Sequence, residues 1–100
     1  MVRHIVVWEL KPEQKPNAEK IAAELGAKFH ALLGVVDGLR EIELGRNYNG
    51  GRFDLMLNCV FDSSKAQAAY QTHPAHVAIK AVVHTLVCSR ECVDCEIGEK

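Results

Sequence analysis

VRHIVVWEL, residues 2–10, is the stretch that decides the fold, because it reads as a β-strand with apolar side chains on both faces. The even positions share one face, and they are His4, Val6, Trp8 and Leu10. The odd positions share the other, and they are Arg3, Ile5, Val7 and Glu9. We therefore expect a central strand that is covered on both sides. Lys11-Pro12 ends it, since proline cannot donate to a neighbouring strand.

A helix follows, and the spacing predicts that it begins at residue 15 or 17 and ends at residue 33. Its apolar residues recur at three- and four-residue spacing: Ile21, Leu25, Phe29 and Leu32. Gly34 suits the C-terminal end of a helix, where the backbone often turns left-handed.

Two more strands are predicted over residues 39–46 and 53–61. The glycine-rich loop between them, residues 47–51, favours an antiparallel hairpin. In the first of these strands, strict alternation places Leu39 and Glu41 on one face and Ile42 and Leu44 on the other.

The second helical region is predicted to be broken. A short helix over residues 65–72 meets His73-Pro74, and a new helix can begin there because proline is tolerated in a first helical turn. It is predicted to reach residue 84, and residues 88–97 form the last strand. Residues 98–100 are expected to be a tail, which leaves one domain over residues 1–97.

The order strand, helix, strand, strand, helix, strand predicts an α+β, ferredoxin-like fold. Its four-stranded antiparallel sheet carries helices on one face. The other face, with Ile5 and Val7, would then be an exposed apolar surface. We infer that a second copy of the chain covers it in a homodimer.

Composition excludes several classes of partner. The chain has 100 residues, 48% of them hydrophobic and 25% charged, with a net charge of -1. Lysine and arginine are scattered, so we expect neither nucleic-acid nor membrane binding. The apolar run at the start is too short for a signal peptide, and a cytoplasmic location is the default expectation.

The cysteines raise the question of a metal site. Cys88, Cys92 and Cys95 lie close together in the sequence, but on a strand Cys95 would point away from the other two. We therefore interpret them as reduced strand thiols, buried or half-exposed, and predict neither a metal nor a cofactor.

The candidate chemistry lies in YQTHPAH, residues 70–76, together with one residue of the first strand. His4 shares its strand face with Trp8, and that face would lie under the helices that carry Tyr70 and His76. Histidine has a pKa near neutrality without tuning, and a tyrosine hydroxyl can donate to a developing oxyanion. His30 and His84 are interpreted as surface or groove residues without a role.

Four features together resemble the stress-responsive α/β-barrel (Dabb) family: residues 1–7, the strand that ends at Phe61, the Tyr-x-x-His-Pro-x-His element at residues 70–76, and Val93-Asp94. The resemblance implies a dimeric α/β barrel, in which the sheets of two protomers close on each other. One plant polyketide cyclase of the family performs an intramolecular aldol condensation, and its site histidines and tyrosine match His4, Tyr70 and His76.

The resemblance thus implies a cofactor-free, cyclase- or lyase-like acid–base catalyst acting on a small apolar carbonyl compound. His76 would be the base, while Tyr70 and His4 orient it or bind the oxyanion. Trp8 and His73 would contact the ligand, with Trp8 narrowing the pocket.

Two alternatives stay open at this point. The trio can instead maintain the fold of a non-enzymatic stress-response dimer or small-ligand-binding protein, with His73 as a helix cap. Haem or monooxygenase chemistry, known from other dimeric α/β-barrel families, lacks matching residues here.

Overall fold

A computed structural model describes residues 1–98, and of the predicted tail Glu99 and Lys100 lie outside that range. The elements, in chain order, are β1 (Val2–Leu10), a 3-10 helix (Pro12–Asn17), α1 (Ala18–His30), β2 (Leu39–Arg46), β3 (Leu55–Phe61), α2 (Ser64–Thr72), α3 (Pro74–Leu86) and β4 (Val87–Glu96). The predicted order of elements is confirmed.

The sheet has the strand order β2-β3-β1-β4, and every neighbouring pair is antiparallel. β1 is therefore an inner strand, as its two apolar faces predicted. Its even-numbered residues are buried under the helices, and its odd-numbered residues are half-buried on the open face. The ferredoxin-like fold is confirmed.

α1 is shorter than its apolar pattern predicted. The proline-containing segment before it forms a 3-10 helix, so the α-helix begins at Ala18. It ends at His30 because the next turn tightens: the Leu32 N–H donates to the Phe29 carbonyl at 3.0 Å, three residues back. The stripe of Ile21, Leu25 and Phe29 is buried. The prediction that the α-helix reaches residue 33 was wrong, because this final turn is not α-helical.

β2 contains a bulge that the sequence did not reveal. Leu39 pairs with Phe61, and Glu41 pairs with Val60, so Arg40 is an extra residue between two ladder positions. The bulge turns Leu39 toward the helices, where it is buried. The prediction that Leu39 and Glu41 share a face was therefore wrong.

The break between α2 and α3 is confirmed and has a clear cause. His73 has an extended backbone with ψ 130°, as expected for a residue before proline. Its Nδ1 accepts a hydrogen bond from the Ala75 N–H at 3.1 Å, which caps α3 at its first turn. This joint carries Tyr70 and His76 on either side of the break.

The open face of the sheet is apolar at its centre. Ile5 pairs with Val93 of β4, whose side chain is 60% exposed. β4 is an edge strand, and for that reason Cys88, Cys92 and Cys95 are exposed rather than buried or half-exposed. Within residues 1–98, none of the helices has the length and apolar character needed to cross a lipid bilayer.

Candidate functional site

His4 lies on the inner face of β1 and is held by two side chains from other elements. The antiparallel register places Asp94 of β4 directly beside it, and the His4 Nδ1 is hydrogen-bonded to the Asp94 carboxylate. Gln67 of α2 donates from Nε2 to the same carboxylate oxygen at 2.9 Å. Burial would raise the pKa of Asp94, but the hydrogen bonds from His4 and Gln67 outweigh it and lower that pKa. The ionised Asp94 therefore accepts from the His4 Nδ1–H, which leaves Nε2 for other partners.

Tyr70 is the largest fully buried side chain of the core. Its ring stacks on the His76 ring, with centroids 3.9 Å apart, and packs against Phe61 at 5.0 Å. Within the part of the chain that the structure describes, its buried hydroxyl group has no hydrogen-bond partner of normal geometry, although the Cys59 thiol is close enough to perturb it. Burial, followed by the neighbouring Cys59, raises the pKa of Tyr70, so the phenol keeps its proton.

His76 is held in one tautomer by the backbone of the preceding helix. Its Nδ1 lies 3.1 Å from the Tyr70 carbonyl oxygen, which can only accept, so Nδ1 carries the proton. Burial, and next the positive charge of Lys80, lowers the pKa of His76 to about 4. The ring is therefore neutral near pH 7, with an unprotonated Nε2.

Burial also raises the pKa of the Cys59 thiol to about 12. Cys59 pairs with His4 across the β1–β3 ladder and lies beneath Tyr70. At neutral pH it is a protonated thiol, and we assign it no nucleophilic role.

His4, Tyr70 and His76 line a cavity of about 320 Å³ between the sheet and the helices. The lining residues are His4, Val6, Trp8, Phe29, Leu57, Tyr70, Gln71, His76, Lys80, Val83, His84 and Arg90. The volume lies at the lower end of the range for small-molecule sites. The ring of Trp8 stacks on that of Phe29 at 6.0 Å and takes up part of the apolar end.

The structure thus brings together four of the five predicted site residues: His4, Trp8, Tyr70 and His76. The fifth, His73, is absent from the cavity lining and caps α3 instead, which was the alternative considered for it.

Several lining or supporting residues were not predicted. Lys80 and His84 follow His76 at four-residue steps along α3, a helical spacing that the sequence already contained. Asp94 and Arg90 lie beside His4 and Trp8 only because of the β1–β4 register. That register cannot be read from one strand alone.

Comparison with known proteins places the chain in a family without assigning a reaction. The sequence model of the Stress responsive A/B Barrel Domain matches residues 2–97. No protein with curated annotation matches the chain. A dimeric ferredoxin-like protein of unknown function from Bacteroides fragilis is 31% identical, with a TM-score of 0.87; the match covers 96% of this chain and 95% of that one.

More distant structures share the fold alone. A dimeric ferredoxin-like protein of unknown function from Thermobifida fusca is 20% identical, with a TM-score of 0.81 over 96% of this chain and 90% of its own. The hydroxynitrile lyase of Passiflora edulis is 15% identical, with a TM-score of 0.77 over 99% of this chain and 94% of its own. At least one other protein with this fold is therefore an enzyme.

Proposed function

Because this chain belongs to the stress responsive A/B barrel domain family, we propose that it is a homodimer that performs cofactor-free acid–base catalysis on a small carbonyl compound. The observation that carries the proposal is that one cavity is lined by a neutral His76 and by Tyr70, whose buried hydroxyl has, among residues 1–98, only the weak Cys59 thiol as a neighbour to bond to. A buried polar group without a partner is rare in native proteins and calls for an explanation. A ligand oxygen that accepts from Tyr70 supplies one.

His76 acts as the base in this proposal. Its Nδ1–H donates to the Tyr70 carbonyl, so Nε2, which has a free lone pair, is the atom that can take a proton. Tyr70 acts as the hydrogen-bond donor to the oxygen on which charge develops, and its raised pKa keeps that donor intact. His4, held by Asp94, orients the substrate from the β1 side.

The reaction step conserves protons and electrons. Nε2 of His76 removes a proton from the carbon next to the substrate carbonyl, and the electron pair of the broken C–H bond forms an enolate. Tyr70 stabilises the enolate oxygen without transferring its proton. The enolate carbon then bonds to a second carbonyl carbon of the same substrate, and protonated His76 returns its proton to the new alkoxide. This is the cyclase-like reaction that the sequence resemblance implies.

A non-enzymatic ligand-binding dimer is the second candidate, and one observation favours it. The pKa of His76, about 4, is lower than the near-neutral value that suits a general base. A site of this kind would bind a carbonyl compound through Tyr70 without removing a proton.

Deuterium exchange distinguishes the two functions without knowledge of the natural substrate. A panel of small aryl and alkyl ketones is incubated with the protein in D2O, and exchange at the carbon next to the carbonyl is followed by NMR. The enzyme hypothesis predicts exchange above the buffer rate, reduced at least about tenfold in His76→Gln, since base catalysis contributes about 10²–10⁴-fold. His30→Gln, at an exposed position outside the cavity, is the matched control. Equal exchange in wild type and His76→Gln would rule out His76 as the base.

The homodimer has its own test. Its support is the apolar open face of the sheet and the dimeric state of the Bacteroides fragilis and Thermobifida fusca proteins. Light scattering after size exclusion should give twice the protomer mass of 11.1 kDa. Val93→Lys places a charge on the open face and should dissociate the dimer. Val77→Lys changes a valine on α3 that is 47% exposed and should leave the dimer intact. A wild-type protein of protomer mass would refute the assembly.

A further inference from the structure

The mouth of the cavity carries a concentration of positive charge that the proposed chemistry does not use. Lys80 of α3 and Arg90 of β4 both line the cavity, and among the described residues that line it there is no aspartate or glutamate. Within residues 1–98, neither Lys80 nor Arg90 takes part in an ion pair. Two cations at the entrance of a pocket that is lined by both polar and apolar side chains therefore call for a negatively charged partner.

The polar lining residues of α3 follow a gradient of exposure that gives the cavity a direction. Along α3, His76 is buried, Lys80 is half-buried and His84 is exposed, each one helical turn after the last. Arg90 pairs with Trp8 in the β1–β4 ladder, so it faces the same side of the sheet as the cavity and is exposed at the strand edge. The inner end of the cavity is therefore apolar and holds His76, and the outer end carries the positive charges of Lys80 and Arg90.

We propose that the ligand of this cavity bears a carboxylate at its outer end, which binds Lys80 and Arg90 while its carbonyl group reaches His76 and Tyr70. This rests on the proposed function for the inner contact and adds the substrate class, an oxo acid. Arginine and lysine make charge-assisted hydrogen bonds to carboxylates, and these are stronger than neutral ones.

The spacing limits which oxo acids fit. His76 and Lys80 are four residues apart on one helix, which corresponds to a rise of about 6 Å. A carbonyl carbon and a carboxylate separated by two or three methylene groups span a comparable distance. Asp94 feels the charge of Arg90 but forms no ion pair with it, and its carboxylate is hydrogen-bonded to His4 and Gln67 instead.

A matched pair of probes tests the inference. 3-Benzoylpropionate is an aryl ketone with a carboxylate two methylenes away, and its methyl ester lacks only the charge. NMR titration should give a Kd for the acid at least about tenfold below that of the ester, the size expected of a hydrogen bond to a charged group. Added salt should weaken binding of the acid and leave that of the ester unchanged.

The variants locate the preference. Lys80→Gln with Arg90→Gln should abolish the difference between acid and ester, while the charge-conserving Lys80→Arg with Arg90→Lys should keep it. Lys65→Gln removes an exposed lysine outside the cavity and should change neither Kd. Equal affinity for the two probes, a preference that survives the double glutamine variant, or no binding of either probe at its solubility limit would each overturn the inference.

The two proposals fail in different ways. If the acid is preferred but no deuterium exchange occurs next to its carbonyl, the catalytic function is wrong and the cationic mouth stands as a binding site for carboxylates. If neutral ketones undergo exchange through His76 and the acid binds no more tightly than its ester, the catalytic function stands and the proposed substrate class is wrong.

Discussion

Removal of the Tyr70 hydroxyl is the sharpest test of the site, because a catalytic and a structural tyrosine respond in opposite directions. In Tyr70→Phe the ring keeps its stacking on His76 at 3.9 Å and its packing on Phe61 at 5.0 Å. Only the oxygen is lost, and within residues 1–98 that oxygen is buried without a hydrogen-bond partner of normal geometry. The substitution therefore removes mainly a desolvation cost, together with a weak contact to the Cys59 thiol.

The magnitude follows from that cost. An unsatisfied buried polar group lowers the stability of the folded state by about 1–3 kcal/mol. The neighbouring Cys59 thiol offsets part of this, but sulfur is a weak acceptor. We expect Tyr70→Phe to be between equally stable and about 1 kcal/mol more stable than wild type, and 1 kcal/mol corresponds to a rise in Tm of about 4–8 °C for a domain of this size. Deuterium exchange of bound ketones should fall in the same variant.

The assay uses urea unfolding followed by the fluorescence of Trp8, the single tryptophan and a core residue. Protein concentration is kept equal, since the stability of a dimer depends on it. Tyr48→Phe is the control: Tyr48 is 99% exposed, so its change should stay within about 0.5 kcal/mol. A loss of more than about 1 kcal/mol in Tyr70→Phe would mean that the hydroxyl is hydrogen-bonded in the free protein, and the proposed donor role would fail.

Three further outcomes are expected. Because the pKa of His76 is lowered from 6.5 to about 4, the unfolded chain binds a proton between these values that the folded chain does not. Stability should therefore fall as pH falls through this range, by up to about 3 kcal/mol, and urea midpoints of His76→Gln should lack that part of the decline. Gly38→Ala should lower the free energy of unfolding by at least about 2 kcal/mol, because its φ of +82° is unfavourable for alanine and the new Cβ would lie 2.6 Å from the Ala66 Cβ. Gly34→Ala is the control in the same thermal unfolding assay: Gly34 has the same φ but open space around it, so the loss should be about 1–2 kcal/mol. Asp94→Asn should slow deuterium exchange while lowering the free energy of unfolding by only about 1 kcal/mol, because its side chain is 50% exposed; a larger loss by urea unfolding would make Asp94 a structural residue.

The fold was predictable because its main signals are periodic. The alternation of residues 2–10 and the helical stripe of Ile21, Leu25 and Phe29 each bury one face, and burial of that face is the largest favourable contribution to folding. The bulge at Arg40 and the early end of α1 were missed for the opposite reason. Each is a local interruption of a regular hydrophobic pattern, and its position is determined by the neighbouring strand or turn rather than by composition.

The site was predictable only where its residues lie on elements that can be placed independently. His4 and His76 follow from one strand face and one proline-initiated helix. The partnership of His4 with Asp94 requires the β1–β4 register, in which a shift of one residue would turn Asp94 to the open face. Arg90 depends on the same register. Lys80, by contrast, lies one turn after His76 and could have been found from helical spacing alone.

The register of β4 also shows how the proposed site and the proposed homodimer interface fit into so small a domain. Asp94 and Arg90 face the helix side of the sheet, where Arg90 lines the cavity and Asp94 holds His4, while Val93 between them faces the open side. β4 thus contributes alternate residues to the two faces of the sheet, and the two proposed functions meet only through its backbone. A charge at Val93 should then dissociate the dimer and leave the cavity unchanged. If exchange activity disappears together with the dimer, the second protomer holds β4, and with it Asp94, in place. Measurement of ketone exchange in the Val93→Lys protomer separates a site complete within one chain from one that depends on its partner.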